Sequence, residues 1–486
     1  MRKYKTKRVF INSFLDTQNS DNSPYSLSKG EPRECYNLLS KSGTLRTNLG
    51  IKHLSLPASR TSSTLFERNG LPDGVTFRKL WRYKYYANSS SRYEYFLVGF
   101  GSDGYLYYNN LFFPDLNYHQ IETASFTALD IDALMFRANG QDVIGFVSSD
   151  DDTLIWYAEN DPYTVDSIPR VTSISLHNNR LYAIDGSEMF VKYSSMTNLL
   201  DWTSSMTGGG EIYPNDYKEQ LKKIVSFKDN LYVFGEHGIT KIQSYVAGTT
   251  YTTSNIFATT EKIYKNSICI CGSRIYFLTT GGLYFFNGFD TFKVDLGIDD
   301  MLCSVKQDSV CSAYYGGKLY FACHLPYSDQ TQAEEAMANN CLVELNPENS
   351  KIRIVRGFDT KSMLAVSDYN VDKLILVLNG SGYLWELTTD GKLSGSSLTK
   401  VWRSGKMVVD NFDKDKILKK VYLTGSGEME VTLTSDKTSK KVSLDTTLST
   451  TRRVVNIVGR EFEVLIKSSD EDFSVEKMEL LFEAEE

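Results

Sequence analysis

A short, aromatic-rich apolar run beside a Gly, Asn or Asp turn recurs along most of this chain, and it limits the fold more than any other feature. The fullest copy spans 222–245, KKIVSFKDNLYVFGEHGITKIQSY, and reads strand, turn, strand, turn, strand. Ile224, Ser226 and Lys228 fall on one face, Val225 and Phe227 on the other. Asp229-Asn230 supplies the first turn and the stretch from Gly235 to Gly238 the second. Ile239, Ile242 and Tyr245 continue the pattern outward. Short strands joined by such turns form an antiparallel meander.

Related runs are Tyr105–Tyr108, Leu154–Tyr157, Leu181–Ile184, Leu231–Phe234, Ile275–Leu278, Leu319–Ala322 and Leu374–Val377. Most start about 44–55 residues apart, close to the spacing of four-stranded propeller blades. A lone meander of this kind exposes two apolar faces, and packing blades radially buries both. The interval from Leu154 to Leu181 is too short for a blade. Merging two of the runs there favours six blades, with seven as the alternative. A large β-sandwich would need no such regular spacing.

The chain of 486 residues is too long for one ordinary domain unless that domain is a repeat architecture. Its 31 tyrosines and 26 phenylalanines favour strands, and its 10 prolines are few. The fold class is therefore all-β. Residues 1–60 read as an extended N-terminal arm with opening strands, 61–400 as the β-propeller, and 401–486 as a C-terminal antiparallel β-sandwich-like domain. The last assignment rests on alternation: Met429, Val431 and Leu433, then Phe462, Val464 and Ile466, then Met478, Leu480 and Phe482. In the arm, Val9–Phe14 reads as a strand and Asp16–Lys29 as irregular. Asp329–Asn340 is the best helix candidate. Ser204–Asp216, with Gly208 to Gly210, reads as a flexible contact loop.

A net charge of −7 argues against a general nucleic-acid binder. The charge is uneven. Arg2, Lys3, Lys5, Lys7 and Arg8 open the chain, and the last 17 residues carry eight carboxylates from Asp470 to Glu486 against Lys477. Such ends are either solvated or contacts to a neighbouring copy or a basic ring. There are 7 cysteines and no Cys-x-x-Cys. Cys269 and Cys271 share a strand face and read as small core side chains in a reducing compartment. The start lacks a long apolar stretch and no run reaches membrane-spanning length, so synthesis and folding in cytoplasm are expected.

Motifs for chemistry are sparse. His53, His119, His177, His237 and His324 form no metal-binding spacing, and His177 and His237 read as solvated turn residues. Gly380-Ser381-Gly382 lacks the spacing of a nucleophile elbow. Asp150-Asp151-Asp152, with Ser148 and Ser149, is the one acidic cluster to weigh as a calcium site, and it reads as a solvated loop. Ser102-Asp103-Gly104 is too short a match to the sialidase blade turn. No catalytic residue, cofactor-binding residue or metal ligand is assigned, no cofactor is expected, and the chain reads as a non-enzyme.

Three stretches together resemble the tail hub, or packaged-DNA stabilisation, proteins of short-tailed phages. The first is Tyr36-Asn37-Leu38, then Ser42-Gly43-Thr44-Leu45-Arg46, then Leu49-Gly50-Ile51, where Leu49 stands in place of the family's proline. The second is the stretch from Asp229 to Tyr245, similar to the family's strand-Phe-Gly segment. The third runs from Arg452-Arg453-Val454 through Gly459-Arg460 to Val464 and is similar to the family's closing segment. Their order and the chain length fit along nearly the whole sequence. The resemblance implies a structural virion protein of the phage tail, made in the host bacterial cytoplasm. It implies a homo-oligomeric ring below the portal, a hexamer with a dodecamer as the alternative. The implied partners are a head-to-tail adaptor or portal-associated ring and a distal tail component such as a needle or fibre. The implied role is to retain packaged DNA without sequence-specific nucleic-acid binding and without a membrane segment. The rival readings are a receptor- or glycan-binding propeller scaffold and a glycan-active propeller enzyme.

Overall fold

The computed structural model describes residues 4–57, 65–66, 71–111, 118–158, 163–164, 169–203, 208–214, 219–245, 250–368, 371–410 and 412–485. Six four-stranded antiparallel sheets and a seventh with an appended hairpin form a seven-bladed β-propeller. The blades span 77–125, 132–164, 171–212, 221–258, 269–293, 311–356 and 360–388. The first strand of each blade lies innermost, beside the first strand of its neighbour. The second strand is the apolar one: in Asn230–Gly235 and Lys318–Cys323 every residue after the first is buried. Both faces of that strand meet another blade, which is why its sequence is a continuous run rather than an alternation.

Seven blades follow from the same runs that suggest six. The runs at Tyr105 and Leu154 sit on third strands, Tyr105–Asn110 and Leu154–Trp156. The five later runs sit on second strands, beginning with Arg180–Asp185. The short interval is thus a step from the third strand of one blade to the second strand of the next, and each run marks its own blade.

The hairpin between first and second strands repeats in kind. Asn139-Gly140, Asn178-Asn179, Lys228-Asp229 and Gly316-Gly317 all have positive φ at both positions. That is the two-residue loop whose twist matches its flanking strands. In the fourth blade Phe227 pairs with Asn230, so the turn lies one residue earlier than the sequence suggests.

Two parts of the chain far apart in sequence build the rest. Lys416–Ser435 and Ser439–Gly459 form a long hairpin within a ten-stranded sheet. Along its first half Lys416–Ser435 pairs with Ser474–Glu485, and along its second half with Glu461–Ser468. The register shifts at Gly425/Ser426, and Gly427 has φ +87°, so the hairpin bends there. The described part of the 1–60 segment is threaded through both bodies. Tyr4–Ile11 and Thr44–Thr47 pair with Ser474–Glu485, and Pro32–Tyr36 pairs with Lys400–Ser404. Gly50–His53 then pairs with Leu384–Thr388 as the fourth strand of the seventh blade and closes the ring.

The core of the ten-stranded sheet surrounds Trp402, which is fully buried, meets Phe14 edge-on at 5.0 Å and donates from its indole N–H to the Leu15 carbonyl. Tyr36 and Val401 from this region instead pack with Leu325 and Ile352 of the sixth blade, so one core runs across the junction. The helix expected over Asp329–Asn340 is a single turn, Gln332–Glu335, opened by a capping box between Thr331 and Glu334. Cys271 is buried, Cys269 half-buried, and their sulfurs lie 3.9 Å apart as free thiols. Among the described residues no helix is long and apolar enough to cross a membrane.

Candidate functional site

A cavity of about 690 Å³ opens where the innermost strands converge, lined from blades one, two, four, six and seven and from the link that precedes blade five. Four innermost strands carry a β-bulge at the same end, between Phe77/Lys79, Val171/Ser173, Leu221/Lys223 and Thr360/Ser362. A bulge leaves one residue unpaired and re-aims its side chain. In blades one and seven the unpaired residues are Arg78 and Lys361, and both line the cavity.

Five cations and three carboxylates face this mouth: Arg78, Lys79, Lys223, Lys265 and Lys361 against Asp130, Asp132 and Asp308. Asp130 sits between Lys79 and Lys265, at 3.1 Å from each. Burial opposes its ionisation, but the two ammonium groups outweigh burial and bring its pKa down to about 2. Lys265 also donates to the Thr172 carbonyl at 3.2 Å, and Lys223 to the Ile268 carbonyl at 3.0 Å. Burial pulls the Lys223 pKa down. Arg78 spends its donors on carbonyls, Ser102 at 2.9 Å and Leu129 at 3.4 Å. Lys361 makes no hydrogen bond or ion pair with any described residue. Burial, and then the Arg78 guanidinium, depress its pKa against the opposing effect of Asp359.

The contact candidates read from the sequence lie elsewhere. Strand pairing sets Tyr4 opposite Glu485 and Thr6 opposite Glu483, so the basic and acidic ends meet within one chain. Arg8 pairs with Glu479 at 2.9 Å and Lys419 with Glu483 at 3.0 Å. Gly208 and Gly209 are buried, and Gly210 opens a strand opposite Tyr193. Residues 204–207 and 215–216 of that loop lie outside the described residues, as do Met1, Arg2, Lys3 and Glu486.

The acidic triplet does structural work. Asp151 accepts from the Thr127 N–H and hydroxyl, the Ala128 N–H and the Ser148 hydroxyl, at 2.7–3.1 Å. These donors lower its pKa against the opposing effect of burial. It clasps the link between blades one and two. His177 is buried, not solvated: its Nδ1 lies 2.9 Å from the Ser226 hydroxyl of the next blade. His237 pairs with Glu219 at 3.0 Å, and His53 stacks on Tyr383 at 4.5 Å. The sequence gives no sign of Arg78 and Lys361, because a bulge leaves no mark on local periodicity.

No family model matches this chain, and no curated protein matches it. Solved structures do. The BBS1N chain from its complex with ARL6DN is 7% identical over 70% of this chain and 97% of that one, with a TM-score of 0.42. The extracellular domain of a one-component system from B. thetaiotaomicron is 10% identical over 91% of this chain and 61% of that one, with a TM-score of 0.43. The Neurospora crassa Pan2 WD40 domain is 7% identical over 67% of this chain and 98% of that one, with a TM-score of 0.37. Identity this low leaves every residue's role to be argued from this chain's own geometry.

Proposed function

We propose that this chain is a structural hub of a short-tailed phage, a virion protein that joins a head-side ring to distal tail parts and helps retain packaged DNA. The observation that carries the reading is the threading of residues 4–53 through both bodies, which ties the propeller and the ten-stranded sheet into one unit. A part that holds neighbours at fixed radius needs that stiffness more than it needs a catalytic cleft. The sequence resemblance in three ordered stretches supports this choice of neighbours. With the described parts of both charged ends paired to each other within one chain, the contacts fall to outer blade edges and to Ser439–Gly459, the outermost strand of the long hairpin.

The test is mass photometry and negative-stain electron microscopy of the full chain, alone and with a portal–adaptor complex. A ring, or an adaptor decorated with several copies, is the expected result. Monomers that ignore the adaptor would overturn the hub reading and favour a glycan- or receptor-binding scaffold.

A further inference from the structure

The axial mouth holds a charge imbalance that the fold itself does not relieve. Lys361 is half-buried, its side chain makes no hydrogen bond or ion pair among the described residues, and it stands beside Arg78, another cation; Asp359 offsets its charge only through space, with both carboxylate oxygens already accepting from the Ala338 and Asn339 N–H groups. Burying an uncompensated charge costs free energy, and a like charge nearby adds to that cost. Both residues occupy bulges, so the backbone departs from regular pairing at the two places that aim these cations inward. Beside the cations lies apolar surface: Leu129 is 76% exposed at the rim, and Trp81 and Met363 line the wall.

We infer that the axial mouth is a binding site for an acidic peptide segment. A carboxylate of the segment sits between Arg78 and Lys361, and a neighbouring apolar side chain packs on Leu129. The cavity volume suits a ligand of that size, since pockets of about 300–1,000 Å³ enclose small ligands. Nucleic acid fits less well. Asp130, Asp132 and Asp308 face the same space and would repel a run of phosphates, whereas a peptide can place its few carboxylates away from them. This inference is independent of the hub reading.

The experiment is fluorescence anisotropy of the full chain with a fluorescein-labelled hexapeptide of alternating glutamate and leucine. Saturable binding is expected, weakened about tenfold by Lys361→Gln, the loss of one charge-assisted contact. Lys351→Gln, on the outer hairpin of the sixth blade, is expected to leave it unchanged. Lys361→Gln is also expected to keep or raise the thermal midpoint, because it removes a half-buried cation that makes no ion pair among the described residues; this separates loss of binding from loss of fold. No saturable binding, or equal binding by wild type and Lys361→Gln, would overturn the inference. So would tighter binding of a labelled decathymidylate, which would make the site one for nucleic acid. Full displacement of the peptide by low-millimolar inorganic phosphate would make it a simple anion site and likewise overturn the peptide reading.

Discussion

Arg356 shows how a single side chain joins distant parts of this molecule. It is buried, lies between the rings of Tyr36 and Tyr327 at 4.7 and 4.6 Å, and pairs with Asp329 at 2.7 Å and Glu334 at 3.1 Å. The helical turn between blade strands thus exists to deliver Glu334 to this cluster. Replacing Arg356 with Met leaves two carboxylates facing aromatic rings and should cost about 3 kcal/mol, as for other broken buried pairs; urea unfolding that shows no loss would refute this role. Asp130 makes a pH prediction. Its folded pKa of about 2 lies below the unfolded value, so its contribution is complete above the unfolded pKa and fades as pH falls towards 2. The thermal midpoints of wild type and Asp130→Asn should therefore differ most near neutrality and converge as pH falls from about 5 towards 2. A gap that stays constant over that range would show that Asp130 does not titrate in this way.

At the scale of elements, the decisive piece is the four-residue strand Gly50–His53. It supplies the fourth strand of the seventh blade, and Ile51 within it is fully buried. A Cβ at Gly50 would run into the Lys392 backbone, so only glycine lets the small hairpin after the seventh blade lie against the closing strand. Gly50→Ala should push the two apart, and amide exchange in Leu384–Thr388 should rise while exchange in the fourth blade stays as it was. Equal exchange in both variants would mean that closure does not depend on this contact. Some of this was legible in the sequence and some was not. The second strands announce themselves because both faces are buried, and the clean alternation of Phe462, Val464 and Ile466 marks a sheet with one dry face. What could not be read is which run belongs to which strand of a blade, since third and second strands look alike in composition. The pairing of Gly50–His53 with a strand more than 300 positions later leaves no local trace either. The same holds for the bulges that set Arg78 and Lys361, which only the register shift reveals.

At the scale of the whole molecule, the propeller and the ten-stranded sheet share strands as well as a boundary. Removing residues 1–53 should therefore damage both, by opening the seventh blade and by stripping four strands from the sheet. The truncated chain should be recovered in soluble form only when a 1–57 fragment is supplied with it; a truncated chain that is soluble and cooperatively folded by itself would show the two bodies to be separable. The first described strand, Tyr4–Ile11, pairs with the last, Ser474–Glu485, residue by residue. A ribosome makes the first of these long before the second. Until the second is made, the earlier strand waits without its mate, with Val9 and Ile11 uncovered. This closure can occur only once Ser474–Glu485 has left the ribosome, as a long-range step of the kind that slows folding. Nascent chains of this protein are thus clients for whatever in the cell shields unpaired strands, and a stalled ribosome would hold an open form of it.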